Sequence, residues 1–156
     1  MDCKARLEAF LRQNQVPFEL HHHPRAYTAQ EVAATEHVPG RMVAKVVVVW
    51  AEGRLSLAVL PAPLRLDLEK AAAALGVRSV RLAREEEFEP FFPDCETGAM
   101  PPFGNLYDVP VYVDRSLTEQ ERVVFDAGTH TDAILMRYAD FENLVRPQVA
   151  DLAIVA

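Results

Sequence analysis

The sequence predicts an α/β fold, a mixed β-sheet flanked by helices. Strand-like segments outnumber helical ones, and the two interleave irregularly along the chain. No internal repeat, linker or low-complexity tract divides the 156 residues, of which 50% are hydrophobic and 25% charged. That length and composition fit one domain spanning residues 1–156, with enough chain for a proper core.

Each element has a local signature. Asp2 is placed to cap a first helix whose apolar residues Cys3, Leu7, Phe10 and Leu11 follow helical spacing. Pro17 ends that region, and "PFELHHHP" reads as a short strand. "TAQE", Thr28 to Glu31, is a capping box opening a helix to about His37, which "VPG" at 38–40 stops. Strands follow at 42–50 and 54–60, joined at "AEG" as a hairpin; Leu55, Leu57 and Val59 alternate with Arg54, Ser56 and Ala58. Asp67 caps a helix with Leu68, Ala71, Ala72 and Leu75 on one face, and Gly76 closes it. "VRSVRL" reads as a strand and "AREEEFEPFF" as a short helix. After the proline- and glycine-rich "PDCETGAMPPFGN", strands are expected at 109–113, 122–127 and 132–136, and a helix at 139–145 ends before Pro147.

Composition excludes several functions. With 16 basic and 23 acidic side chains the formal charge is -7. General nucleic-acid binding rests on phosphate neutralisation, so any such partner must be met by a local basic patch. No apolar run approaches the length of a membrane span, and the charged N-terminus does not read as a signal peptide, which points to the cytoplasm. Cys3 and Cys95 lie far apart and form no CxxC, so neither a zinc site nor a disulfide framework is expected.

Lys45 opens the valine run of "MVAKVVVVW". Strand alternation puts it on the face of Val47 and Val49, opposite Val46, Val48 and Trp50. A lysine there either snorkels into solvent or clamps a phosphate or carboxylate at a cleft mouth. "GAMPPFG", Gly98 to Gly104, combines prolines that fix φ with glycines that tolerate unusual φ, making a stiff loop that a ligand can approach closely. In "AGTHTD", Ala127 to Asp132, His130 sits at a hairpin tip, where histidine is ordinarily solvated but can also orient a substrate or move a proton. His21 and His23 share one strand face but lack a third ligand for zinc, so no metal is expected. "REEEFE" reads as a solvated helix face with its acids near the positive helix end. Cys95, served by His130, is a candidate thiol nucleophile without a supporting local motif.

Three features taken together carry a resemblance: the lysine opening a valine-rich strand after "VPG", the GxxxP pattern from Gly98 to Pro102 continuing into "FG", and the "AGTHTDAI" hairpin leading into a short helix. In this order and spacing the chain resembles the YbaK/EbsC family, the prolyl-tRNA-synthetase-associated editing domains, from "FELHHHP" to "ADFENLV". The resemblance implies a barrel-like mixed sheet flanked by helices and a free-standing aminoacyl-tRNA deacylase acting on a mischarged small residue, often on tRNA for proline. It implies Lys45, Gly98 and His130 as catalytic residues. Thr28, Met100, Pro101, Pro102, Phe103, Gly104, Gly128 and Thr129 are expected to bind substrate, and no cofactor is expected. An aminoacyl ester is already activated, so positioned water and a stabilised oxyanion suffice. The net charge suits a weak, transient encounter with aminoacyl-tRNA, helped by a synthetase or another factor. A non-catalytic module binding aminoacyl-tRNA or a nucleotide on the same fold, and a thiol hydrolase using Cys95 and His130, are the alternatives; oligomeric state is left open.

Overall fold

The computed structural model describes residues 2–154. Helix α1 (Cys3–Gln13) is capped by Asp2, whose carboxylate accepts from the Ala5 amide at 2.7 Å. Strand β1 (Phe18–His22) leads to α2 (Ala29–Glu36), where Thr28 and Glu31 form the expected capping box. Strands β2 (Ala44–Ala51) and β3 (Arg54–Pro61) pair antiparallel with Ala51 opposite Arg54. The two-residue turn between them places Glu52 at φ 50° and Gly53 at φ 82°, the doubly positive geometry whose twist matches the strands. The chain continues through β4 (Arg65–Leu66), α3 (Leu68–Leu75), β5 (Arg81–Leu82), α4 (Glu85–Phe88) and β6 (Val111–Asp114). It ends with β7 (Arg122–Asp126), β8 (Asp132–Arg137), α5 (Tyr138–Val145), β9 (Gln148–Ala150) and β10 (Ala153–Ile154).

The strands form three sheets: β5-β2-β3-β6-β9, β1-β8-β7 and the pair β10-β4. In the first, β3–β6 and β6–β9 are parallel while β2–β3 and β2–β5 are antiparallel, so the sheet is mixed as expected. The barrel-like form is not seen: among the described residues no closed barrel forms, and β2 and β7 meet only through the isolated parallel bridge Val43–Val124. The strand expected over 77–82 shrinks to Arg81–Leu82, and β4, β9 and β10 were not anticipated. Strands of two or three residues are too short to show a period, and long-range pairing alone defines them. No helix among the described residues is long and apolar enough to cross a membrane.

Both faces of β2 are covered. Val48 packs into the main core with Phe103, Phe125 and Ile134, whereas Val49 packs with Ala71 and Leu152 on the α3 side. Phe103 is fully buried, with ring centroids 6.2 Å from Phe10, 5.4 Å from Phe125 and 5.5 Å from Phe141. A Cβ at Gly104 would collide with the Val109 carbonyl oxygen, so that glycine serves close backbone packing.

Cys3 and Cys95 correct the cysteine expectation. They form a disulfide with Cα atoms 4.9 Å apart across a sequence separation of 92. The tie joins α1 to the loop before Gly98, where the Cys3 amide also donates to the Asp94 carbonyl at 3.1 Å. Pairing over such a distance has no local signal, and only the tertiary approach of the two Cα atoms reveals it.

The packing of Phe103 generates a prediction. Phe103→Ala removes a buried ring from the junction of three aromatic neighbours and should cost about 3–5 kcal/mol, read from urea unfolding. A loss below about 1 kcal/mol would contradict its placement at the centre of the core.

Candidate active site

The Val43–Val124 bridge is parallel, and the strands part immediately beyond it. Lys45 and Asp126 each lie two positions past that bridge, so alternation turns both toward the same face. The space between the strands is a cavity of about 170 Å³ lined by Tyr27, Ala29, Val32, Val43, Ala44, Lys45, Val46, Gly98, Met100 and Asp126. It is smaller than the roughly 300–1,000 Å³ of pockets for drug-sized ligands, and has room for a small ligand group. A larger hollow of about 250 Å³ shares Met100, but there Thr97 is already bonded to Glu89 at 2.8 Å and Cys95 is tied to Cys3.

The Lys45 ammonium donates to the Ala62 carbonyl at 3.1 Å. Burial, aided by the Arg65 charge, holds its pKa below the usual lysine value. One hydrogen bond leaves the remaining N–H donors free to meet an anion.

Gly98 has φ +85°, a conformation favouring glycine, and a Cβ built there would lie 3.6 Å from His130 Cε1. His130 is buried, which overturns the expectation of a solvated hairpin tip. Its Nε2 donates to the Thr97 carbonyl at 2.9 Å, its backbone amide donates to Glu96 Oε1 at 3.0 Å, and its ring leans on Tyr27 with centroids 4.8 Å apart. Because a carbonyl can only accept, Nε2 carries a proton. Nδ1 is buried without a partner among the described residues.

Asp126 is the residue that sequence reasoning missed. It ends β7 on the same face as Val124, against the apolar side of α2, and its Oδ1 is buried without a partner. Burial pushes its carboxyl up to about 7, against a downward pull from His130. The available signal was an acid at the end of the apolar "VVF" run, one residue before "AGTHTD". Tyr27, 62% exposed at the cavity rim with Arg25 over its ring, was also passed over.

Lys45, Gly98, Met100 and, through Gly98, His130 are therefore brought together; the other expected residues have structural duties. Thr28 caps α2, its hydroxyl accepting from the Glu31 amide at 3.0 Å, while its neighbours Tyr27 and Ala29 line the cavity. Pro101, Pro102, Phe103 and Gly104 are buried in the core. A Cβ at Gly128 would stand 2.7 Å from Cys3 Sγ, so that glycine admits the disulfide. Thr129 donates to Asp132 Oδ2 at 2.7 Å and braces its own turn. His21 is held by Glu36 at 2.6 Å and Glu19 at 3.0 Å, hydrogen bonds that raise its pKa, whereas His23 Nδ1 faces the Pro24 carbonyl at 2.7 Å. Cys95 has no thiol to offer while bonded to Cys3, which corrects the nucleophile reading.

The family model described as an aminoacyl-tRNA editing domain matches residues 23–144. A proline–tRNA ligase of Shouchella clausii is 33% identical over 105 residues, covering 67% of this chain but 18% of the ligase. The multifunctional Ser/Thr-tRNA deacylase ProXp-y of Escherichia coli is 25% identical over 151 residues, covering 94% of this chain and 90% of the deacylase. Among solved structures, a proposed trans-editing enzyme for prolyl tRNA synthetase superposes with a TM-score of 0.85 at 25% identity, covering 98% of each chain. The hypothetical protein APE2540 superposes at 0.86 with 22% identity, covering 96% of this chain and 99% of that one, which shows the shared fold.

The Asp126 environment predicts a pH signature. An unfolded aspartate titrates near about 3.9, while the folded group titrates at about 7. Between those values the unfolded chain binds fewer protons than the native one, so stability falls as pH rises and levels off above the folded value. Asp126→Asn does not titrate. It should melt above wild type at about pH 8, with the gap closing toward about pH 4. Melting curves for the two proteins that shift in parallel across that range would refute the buried-carboxyl assignment.

Proposed function

This chain belongs to the aminoacyl-tRNA editing domain family, and from that premise we propose that residues 1–156 form one free-standing domain that hydrolyses the ester of a mischarged small amino acid on tRNA. Coverage of 90% of the curated deacylase, against 18% of the synthetase, supports the free-standing reading. The observation that carries the chemistry is the partly buried Lys45 at the wall of a small cavity beside the positive-φ Gly98. A desolvated cation there attracts the anionic nucleotide end of the substrate far more strongly than a surface lysine does.

The activated ester needs no strong protein nucleophile. Lys45 anchors the terminal nucleotide, and the Gly98–Met100 backbone approaches the scissile carbonyl, where amides oppose the developing oxyanion. His130, fixed by Thr97 and Glu96, closes the site behind Gly98. Water adds to the carbonyl carbon, the bond to the ribose oxygen breaks, and the proton released by water ends on that oxygen. Val32, Val43 and Met100 make the apolar part of the wall. One methylene in such a pocket discriminates by only about 1–3 kcal/mol, which is why a second hydrolytic sieve is useful. The substrate is aminoacyl-tRNA, that for proline in view of the synthetase relative, met weakly in the cytoplasm with a synthetase as helper; the net charge of -7 supports a transient encounter. A binding module without turnover is the lesser reading, because it leaves the glycine approach to the ester without a purpose.

Deacylation of a panel of mischarged tRNAs by the purified protein tests the proposal, and no turnover of any member would reject it. Lys45→Ala should lower kcat/KM by at least about 100-fold, the loss typical of a transition-state contact, while its melting temperature stays close to wild type. Activity within a few-fold of wild type would return Lys45 to a snorkelling role. Gly98→Val, strained at positive φ and driven toward His130, should lose activity well beyond what its change in melting temperature explains.

A further inference from the structure

Among the described residues Asp126 is the only acidic side chain in the cavity wall, and the hydrolysis leaves it idle. Its position mirrors Lys45 across the gap between β2 and β7. The titratable groups facing it are His130 from the turn between β7 and β8, Lys45 from β2 and Tyr27 ahead of α2. None of them bonds to Asp126 Oδ1, and His130 Nδ1 is likewise without a partner among the described residues. Two buried polar atoms left without a hydrogen-bond partner beside the cavity suit a ligand group that is rich in N–H and carries positive charge.

The aminoacyl ester carries one such group. We propose that Asp126, with His130 Nδ1, forms the subsite that receives the α-ammonium group of the aminoacyl moiety, so that the site accepts esters of free amino acids and discriminates against N-acylated ones. The inference rests on the deacylase reading and extends it to substrate selection. An ammonium group has three donors and no acceptor, whereas an acylated nitrogen keeps one donor, loses the charge and adds bulk. Lys45 holds the anionic end of the same substrate from the opposite wall, so the charges of the cavity run in the order of those of the ligand. Burial pushes the Asp126 carboxyl up to about 7, and an arriving cation favours its ionised form.

Two probes test this on the full chain: an adenosine bearing serine through an amide in place of the ester, and the N-acetyl derivative of the same compound. Calorimetric titration should show wild type binding the free-amine probe at least about tenfold tighter, the scale of one charge-assisted hydrogen bond. In Asp126→Asn, which keeps the shape of the carboxyl, the preference should collapse toward unity. Seryl-tRNA and N-acetylseryl-tRNA supply the matching comparison in turnover. Retention of the preference in the Asn variant overturns the proposal, as does a wild type that binds the two probes equally or binds neither. A variant that loses kcat while keeping the preference also overturns it and makes Asp126 a proton-transfer group instead. Wild type that discriminates the probes but hydrolyses no aminoacyl-tRNA sinks the deacylase reading alone; turnover without discrimination sinks only the ammonium subsite.

Discussion

A single parallel bridge, Val43 to Val124, organises the candidate site. Both valines are almost fully buried, so the two sheets are held together at that point by apolar packing with Val32, Ala33 and Ala62. Past the bridge β2 continues into the five-stranded sheet and β7 into the three-stranded one, and the backbone groups between them no longer pair. The divergence opens a cavity, and strand alternation turns Lys45 and Asp126 to it. Continued pairing would fill the gap, whereas no bridge at all would leave the two charges unregistered.

Charged groups tolerate this environment because each is handled differently. Lys45 retains one backbone acceptor at Ala62 and yields part of its basicity to burial. Asp126 lacks a donor for one oxygen and answers burial by holding its proton to about 7. His130 is locked by its Nε2 bond and by contact with Tyr27, and its Nδ1 is buried without a partner among the described residues. A site made this way is polar at a few fixed points and apolar elsewhere, the composition expected of a small-molecule pocket. The disulfide and the Gly128 contact brace the loop that supplies Gly98 from the side of α1.

The loop expected to bind substrate divides between cavity and core. "GAMPPFG" does reach the cavity, but only through Gly98 and Met100. Phe103 turns inward to join three other rings, and Gly104 permits a backbone approach inside the core. The same glycine and proline chemistry that suits a ligand loop also suits a tightly folded core segment, and sequence does not distinguish them. Asp126 was overlooked for the converse reason: an acid ending an apolar strand looks like an ordinary strand end until its neighbours are known.

What the sequence by itself determined was local: the caps at Asp2, Thr28 and Asp67, the hairpin between β2 and β3, the alternation of β2, the isolated lysine on an apolar face, and the spacing that carries the family. Each is written within a few consecutive residues, where backbone sterics and side-chain period act directly. The tertiary structure alone decided the Cys3–Cys95 tie, the short strands β4, β9 and β10, the burial of His130, and the meeting of Asp126 with Lys45 across one cavity. These depend on segments tens of residues apart reaching van der Waals contact, where desolvation and missing donors set the chemistry, and neither property belongs to any single stretch of chain.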